Sequence, residues 1–140
     1  GTIRNENIAK SFTFCLVHLV PQNLKYTLEQ AKKKIPTIKS RDDLLKFITV
    51  LYSDLDMIHP FREGNGRTER EFIRQLIDYI CEKNGLEPYE LDYKRIKSRD
   101  EYIAAIIKAD ALCQYDDLMA MFDSILVVKE KNIEGLSSKK

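Results

Sequence analysis

Apolar residues recur at helical spacing over most of this chain, and they predict a mainly α-helical domain. Each predicted helix has a stripe of apolar side chains that should face a common core. The stripes are Leu24, Leu28, Ala31 and Ile35; Leu44, Ile48, Leu51, Leu55 and Ile58; Phe72, Ile73, Leu76, Ile77 and Ile80; Tyr102, Ile103, Ile106, Ile107 and Ala111; and Leu118, Met121, Phe122, Ile125 and Leu126.

Capping and helix-breaking residues set the predicted ends of these helices. The first helix should begin near Pro21 and end before Pro36. Capping boxes at Ser40–Asp43 and Ser98–Glu101 should open the second and fourth helices, and Asp116-Asp117 should open the last. The central helix is predicted over Thr68 to Lys83, with Asn84-Gly85 as a left-handed cap.

Three segments lack a long helical stripe. Residues 2–17 alternate apolar and polar side chains and are the only strand-like region. Residues 86–97 are mixed, with a short helix expected near Tyr93–Ile96. Residues 129–140 form a polar tail, so the folded domain should cover residues 1–128.

Length, charge and cysteine content limit the possible classes of protein. With 140 residues the chain should be one domain with a real core. A formal net charge of +1 gives no overall field that would recruit nucleic acid or a membrane, and no apolar run is long enough to span one. The three cysteines lack a metal-binding spacing and favour reduced packing residues in an intracellular, cytoplasmic protein. Secretion as an effector stays open. The chain starts at Gly1 in strand-like sequence, so we expect an upstream part to be missing.

The candidate chemistry is concentrated in residues 59–70, which read His-Pro-Phe-Arg-Glu-Gly-Asn-Gly-Arg-Thr-Glu-Arg. Gly64 and Gly66 allow a sharp turn and a close backbone approach to a ligand. The loop leads into a predicted helix N-terminus, which presents free N–H groups and is a ready anion site. Arg67 and Arg70 lie three residues apart and can reach the same anion, and arginine suits bidentate contact with phosphate oxygens.

This stretch resembles, at every fixed position, the Fic family signature His-Pro-Phe-x-(Asp/Glu)-Gly-Asn-Gly-Arg-x-x-Arg. The resemblance implies the Fic fold, a helical bundle with a small N-terminal β-hairpin flap. It also implies an enzyme that transfers AMP from ATP to a Ser, Thr or Tyr hydroxyl of a target protein.

For such a reaction, the residues of the stretch take complementary roles. His59 has the only side chain here with a pKa near neutrality and fits the general base. Glu63 offers an oxygen ligand suited to Mg²⁺. The Gly64-Asn65-Gly66 loop fits an anion hole for the α- and β-phosphates, and Arg67 and Arg70 fit the β- and γ-phosphates. Phe61 is interpreted as a core plug, and Arg62, Thr68 and Glu69, at variable positions, receive no role.

The resemblance extends to the flap, at about residues 2–17, where Lys10, Ser11 and Phe12 are expected to dock a target protein as an added strand. A hairpin that only caps the core is the alternative. Thr2–Asn7 fits the family's inhibitory pattern literally but lies in the flap segment, so we interpret the match as coincidence. Glu134-Gly135 departs from that pattern. An inhibitory element is therefore expected upstream or in a separate antitoxin-like protein.

Two other functions remain open at this stage. The first is a related phosphate-linked transfer, or removal of AMP, on the same fold. The second is a non-catalytic module that binds a partner through the flap. Nucleotide binding with Mg²⁺ would separate the enzymes from the module.

Overall fold

The computed structural model describes residues 22–58 and 65–130, and this part of the chain is mainly α-helical, as predicted. Two short 3-10 turns, Ile35–Thr37 and Tyr93–Arg95, connect the helices. The predicted flap, residues 2–17, lies outside the described residues. The α-helices are α1 (Gln22–Lys34), α2 (Arg41–Ile58), α3 (Asn65–Asn84), α4 (Arg99–Leu112) and α5 (Asp116–Ile125).

The predicted serine N-caps are present at the starts of α2 and α4. The Asp43 N–H donates to Ser40 Oγ at 3.1 Å, and the Asp43 carboxylate accepts from the Lys39 N–H at 2.9 Å. At α4, the Glu101 N–H donates to Ser98 Oγ at 3.1 Å. The two serine contacts satisfy N–H groups that a helix start leaves without an intrahelical partner.

Helix α3 begins three residues earlier than predicted, at Asn65 instead of Thr68. The helix therefore starts inside the Gly64-Asn65-Gly66 loop. A glycine in a helix costs only about 1 kcal/mol relative to alanine, so Gly66 does not prevent this extension. The helix ends at Asn84, and Gly85 follows with φ +72°, which confirms the predicted left-handed cap.

Helices α2 and α3 bury their predicted stripes wherever the structure describes them, and α5 buries its own stripe except for Met121, which is half-buried. α2 contacts each of α1, α3, α4 and α5, so it lies at the centre of the described bundle. Outside the stripe, Asn84 joins the end of α3 to the segment between α1 and α2. Its side-chain amide donates to the Ile35 and Ile38 carbonyls at 2.8 and 2.9 Å. The confirmed buried residues are Leu28 and Ala31 of α1, with Ile35 directly after it; Leu44, Ile48, Leu51 and Leu55 of α2; Phe72, Ile73, Leu76, Ile77 and Ile80 of α3; and Leu118, Phe122 and Ile125 of α5.

The predicted stripe of α4 is wrong in part. Tyr102 is buried as expected, but Ile103 and Ile107 are 40% and 58% exposed, and the buried positions are Ala105 and Ala109. α4 is apolar around much of its circumference, so periodicity does not single out one face. The small alanine side chains allow α4 to pack closely on α2 and α5.

A two-stranded sheet was not predicted. Strand β1 (Tyr89–Leu91) pairs antiparallel with β2 (Leu126–Val128), with Tyr89 opposite Val128 and Leu91 opposite Leu126. Leu126, expected in the last helix, begins β2 instead. Lys129, the first residue of the predicted polar tail, is also held, because its N–H donates to the Pro88 carbonyl at 2.7 Å.

Candidate functional site

The described residues contain one part of the predicted site. His59, Glu63 and Gly64 lie outside them, as do Phe61, Arg62 and the flap residues Lys10, Ser11 and Phe12. The other predicted residues, Asn65, Gly66, Arg67 and Arg70, all belong to the first two turns of α3. The structure therefore brings both arginines to the helix end that begins in the glycine loop.

The two arginines have different surroundings. Arg67 is exposed, whereas Arg70 is partly buried. The guanidinium carbon of Arg70 lies over the ring of Tyr93, 5.7 Å from the ring centroid. This distance is within the range of a cation–π interaction. Tyr93 belongs to the 3-10 turn between β1 and α4, and it was not among the predicted site residues.

Glu69, at a variable position of the signature, is 1% exposed. Its negative charge raises the pKa of Tyr52, Tyr93 and Tyr102, in each case less than burial does. The carboxyl group therefore lies near three tyrosine rings from α2, the 3-10 turn and α4. No role was predicted for Glu69, although its position four residues before Ile73 extends the buried stripe of α3.

The tyrosines near Glu69 form a packed cluster with Phe122. The hydroxyl of Tyr102 donates to that of Tyr52 at 3.1 Å. The Tyr52 and Phe122 rings meet edge to face, with centroids 5.4 Å apart. Burial raises the pKa of Tyr52, Tyr93 and Tyr102 above the ordinary value of 10.0, so their hydroxyls stay neutral near pH 7. This cluster therefore lies close to Glu69, in the second turn of α3.

A second polar cluster joins α2 and α4. Asp110 accepts a hydrogen bond from Ser53 Oγ at 2.7 Å and is also hydrogen-bonded to Asp56. Burial, then the bond to Asp56 and the charges of Asp56 and Asp54, raise the pKa of Asp110 from 3.8 to about 7. No group of His, Cys, Asp and Glu side chains among the described residues has the arrangement of a metal site.

A surface groove of about 400 Å³ lies between α1 and α2, with Tyr26, Lys34, Phe47 and Asp54 among its lining residues. Arg67, Glu69 and Arg70 do not line it, so this groove is separate from the arginine end of α3. Within residues 22–58 and 65–130, no helix is long and apolar enough to cross a membrane.

Comparisons with known proteins agree with the signature and the fold. The model of the Fic/DOC family matches residues 1–77, just over half of the chain. The phosphocholine transferase AnkX of Legionella pneumophila is 28% identical over 101 residues, which cover 70% of this chain and 10% of that protein. The protein adenylyltransferase VbhT of Bartonella schoenbuchensis is 43% identical over 53 residues, 38% of this chain and 10% of that protein.

A solved structure shows the same architecture. The crystal structure of BepC, a VirB-translocated effector protein of Bartonella tribocorum with bound AMPPNP, superimposes with a TM-score of 0.62 at 21% identity. The match covers 77% of this chain and 48% of that one. The matches thus span about a tenth of the length of AnkX and of VbhT, and about half of the BepC chain.

Proposed function

This chain belongs to the Fic/DOC family, and we propose that it is a protein adenylyltransferase that moves AMP from ATP to a hydroxyl group of a target protein. Its fold is the Fic fold, a mainly helical bundle. Curated relatives are named as protein adenylyltransferase or phosphocholine transferase, so transfer of a phosphate-linked group is what they have in common.

The start of α3 at Asn65 is the observation that carries this proposal. Because the helix begins inside the glycine loop, its first N–H groups belong to the signature itself. These groups and the positive end of the helix dipole attract an anion. Arg67 and Arg70 lie on the same two turns and add two guanidinium groups that suit phosphate oxygens. A polyphosphate fits this combination better than a single small anion does.

The reaction needs a base, a charge-neutralising ion and an anion hole. His59 follows α2 directly and is assigned the role of general base. Glu63 precedes the start of α3 by two residues, and this single carboxylate fits Mg²⁺, which binds few protein ligands and takes phosphate oxygens and water as well. When bound, Mg²⁺ would neutralise phosphate charge. Asn65 and Gly66 provide backbone N–H groups for the α- and β-phosphates.

The chemical step is a substitution at the α-phosphorus of ATP. The target hydroxyl oxygen forms a bond to that phosphorus, and the bond from the phosphorus to the bridging oxygen of the β-phosphate breaks. The hydroxyl proton passes to the imidazole of His59. Pyrophosphate leaves with its charge balanced by Arg67 and Arg70. The products are an AMP-modified side chain and pyrophosphate.

The similarity to AnkX over 70% of this chain favours phosphocholine transfer as a second candidate function. The complete signature supports the adenylyl transfer instead, because all its glycine and arginine positions are filled. The two candidates differ in the group that remains on the target protein.

Labelled donors separate these reactions. The chain is incubated with a protein lysate and ATP labelled at the α-phosphate, ATP labelled at the γ-phosphate, or a nucleotide-activated phosphocholine labelled in the choline. We expect protein-bound label from α-labelled ATP alone. Label from the choline donor would favour the second candidate, and label from γ-labelled ATP would indicate phosphoryl transfer. Label from none of the three would contradict an active transferase.

His59→Ala is the matching control. We expect it to lower the transfer rate by about 10²–10⁴-fold while ATP binding is retained, because the base acts on the target hydroxyl and does not hold the nucleotide. A variant that keeps more than about a tenth of the wild-type rate would exclude His59 as the general base.

A further inference from the structure

Arg70 is held against an aromatic ring that lies far from the signature in sequence. Its guanidinium carbon is 5.7 Å from the centroid of the Tyr93 ring, and both side chains are partly buried. Partial burial strengthens a cation–π contact, because less water competes for the cation. The charge of Arg70 also acts on the hydroxyls of Tyr93 and Tyr102, lowering the pKa of each against the larger effect of burial.

The ring itself is fixed by the fold. Tyr93 opens a 3-10 turn that Asp92 caps, since the Asp92 carboxylate accepts from the Lys94 N–H at 3.2 Å. The Asp92 N–H donates to the Ile125 carbonyl at 2.8 Å, which attaches the turn to the end of α5. The turn thus presents an immobilised ring face to the second turn of α3.

The hydroxyl of Tyr93 contributes nothing visible to this arrangement. Its oxygen is buried and has no hydrogen-bond partner among the described residues. A buried hydroxyl without a partner costs stability, so phenylalanine should be tolerated at this position. Arg70 contacts the aromatic face, which phenylalanine at position 93 would retain.

We propose that Tyr93 is a positioning residue that holds the Arg70 guanidinium in place for the outer phosphates of the nucleotide. This inference rests on the proposed function, because it assigns Arg70 to the β- and γ-phosphates. A guanidinium that is already oriented loses less conformational freedom when it binds a phosphate, so the ring should improve affinity without touching the ligand. The effect should be confined to ligands that carry the outer phosphates.

The first test compares ATP with AMP. Dissociation constants of Mg²⁺·ATP and of AMP are measured by calorimetry for the wild type, Tyr93→Phe and Tyr93→Leu. We expect Tyr93→Leu to weaken ATP binding by about three- to tenfold and to leave AMP binding unchanged. Tyr93→Phe should stay within about twofold of the wild type for both ligands, since the ring is retained. Equal weakening of ATP and AMP by Tyr93→Leu, or none, would overturn the inference.

A double-mutant cycle tests whether the ring acts through Arg70. In an Arg70→Ala background, Tyr93→Leu should have no further effect on ATP affinity. An undiminished effect there would mean that the ring serves another purpose, and the inference would fail.

A series of nearly isosteric side chains at position 93 tests the inference even if Tyr93→Leu does not fold. Phenylalanine with increasing numbers of ring fluorines is introduced at position 93, which weakens the negative ring face while hardly changing its shape. ATP affinity should fall with each fluorine, and a constant affinity would overturn the inference. If the wild type does not bind ATP, the proposed function itself is wrong. If the wild type binds ATP and the affinity is the same for every member of the series, only the proposed role of Tyr93 is wrong.

Discussion

The carboxyl of Asp110 should make the stability of this fold fall as the pH rises, and Asp110→Asn should remove that dependence. Asp110 lies on α4 and meets Ser53 and Asp56 on α2. Burial is the main cause of its raised pKa, followed by the hydrogen bond to Asp56, while the Ser53 hydroxyl acts in the opposite direction. The pKa of Asp110 rises from 3.8 to about 7.

The sign follows from proton binding. Between pH 3.8 and about 7, the folded state keeps a proton on Asp110 that the unfolded chain has released. The free energy of unfolding is therefore highest below this window and falls as the pH rises through it. One pKa unit corresponds to about 1.4 kcal/mol, so the full shift would give roughly 4 kcal/mol. Asp110 is only partly buried, so solvent screening should reduce the observed loss to about 1–2 kcal/mol.

Urea unfolding followed by circular dichroism, between about pH 5 and pH 8, measures this loss. The amide side chain of the Asp110→Asn variant keeps an oxygen that accepts from the Ser53 hydroxyl. Like the protonated Asp110 carboxyl, it also has a donor for Asp56. The stability advantage of Asp110→Asn over the wild type should therefore be smallest at the acidic end of this range and should grow until the pH passes about 7. Asp117→Asn is the control, because Asp117 is exposed and paired with Lys108. A wild-type curve that stays flat, or one that runs parallel to that of Asp110→Asn, would refute the reasoning.

The remaining predictions concern the site and the end of α3. Glu63→Ala should raise the Mg²⁺ concentration needed for half-maximal transfer, and a metal titration that superimposes on the wild type would exclude Glu63 as the ligand. Asn84→Ala should lower the free energy of unfolding by about 1–3 kcal/mol in urea, because two carbonyl acceptors lose their donor; a loss below about 0.5 kcal/mol would contradict this. Arg70→Ala should abolish self-modification with Mg²⁺·ATP, detected as label on the chain, and retained labelling would argue against a phosphate contact. Glu6→Ala should change little, whereas a several-fold rise in labelling would identify Thr2–Asn7 as an inhibitory motif.

Local sequence signals were sufficient to predict most helices. Helices α2 and α3 have one clear apolar stripe each, and the residues predicted to be buried are buried wherever the structure describes them. Ser40, Ser98 and Gly85 act through neighbours within a few residues, so their effects can be predicted without knowledge of the fold.

Predictions failed where the answer depends on distant segments. β1 and β2 have three residues each, which is too short for either to show a strand pattern by itself. They are separated by 34 intervening residues, so their pairing depends on the fold. The buried face of α4 depends on how closely α2 and α5 approach it. Close packing buries the small side chains of Ala105 and Ala109 and leaves Ile103 and Ile107 exposed, although isoleucine is the more hydrophobic residue.

The same division applies to the site. The signature is contiguous, so its residues could be identified directly, and their catalytic roles remain proposals. Tyr93 lies 23 residues after Arg70, and only the fold brings the two together. The burial of Glu69 could have been predicted from periodicity, because Glu69 precedes Ile73 and Ile80 at helical spacing, although a carboxylate is rarely part of a buried stripe.

The core also fixes the direction in which the site arginines project. Successive residues of an α-helix are rotated by about 100°, so shifting α3 by one residue would turn its buried stripe toward solvent. Exposing Ile73, Ile77 and Ile80 would cost about 1.5–3 kcal/mol for each side chain. Because the arginines lie on the same rigid helix, that cost opposes any rotation of Arg70 away from the Tyr93 ring. The orientation of the proposed phosphate site is therefore set by apolar packing that extends about 5 to 15 Å along α3 from Arg70, and not by the polar residues of the signature alone.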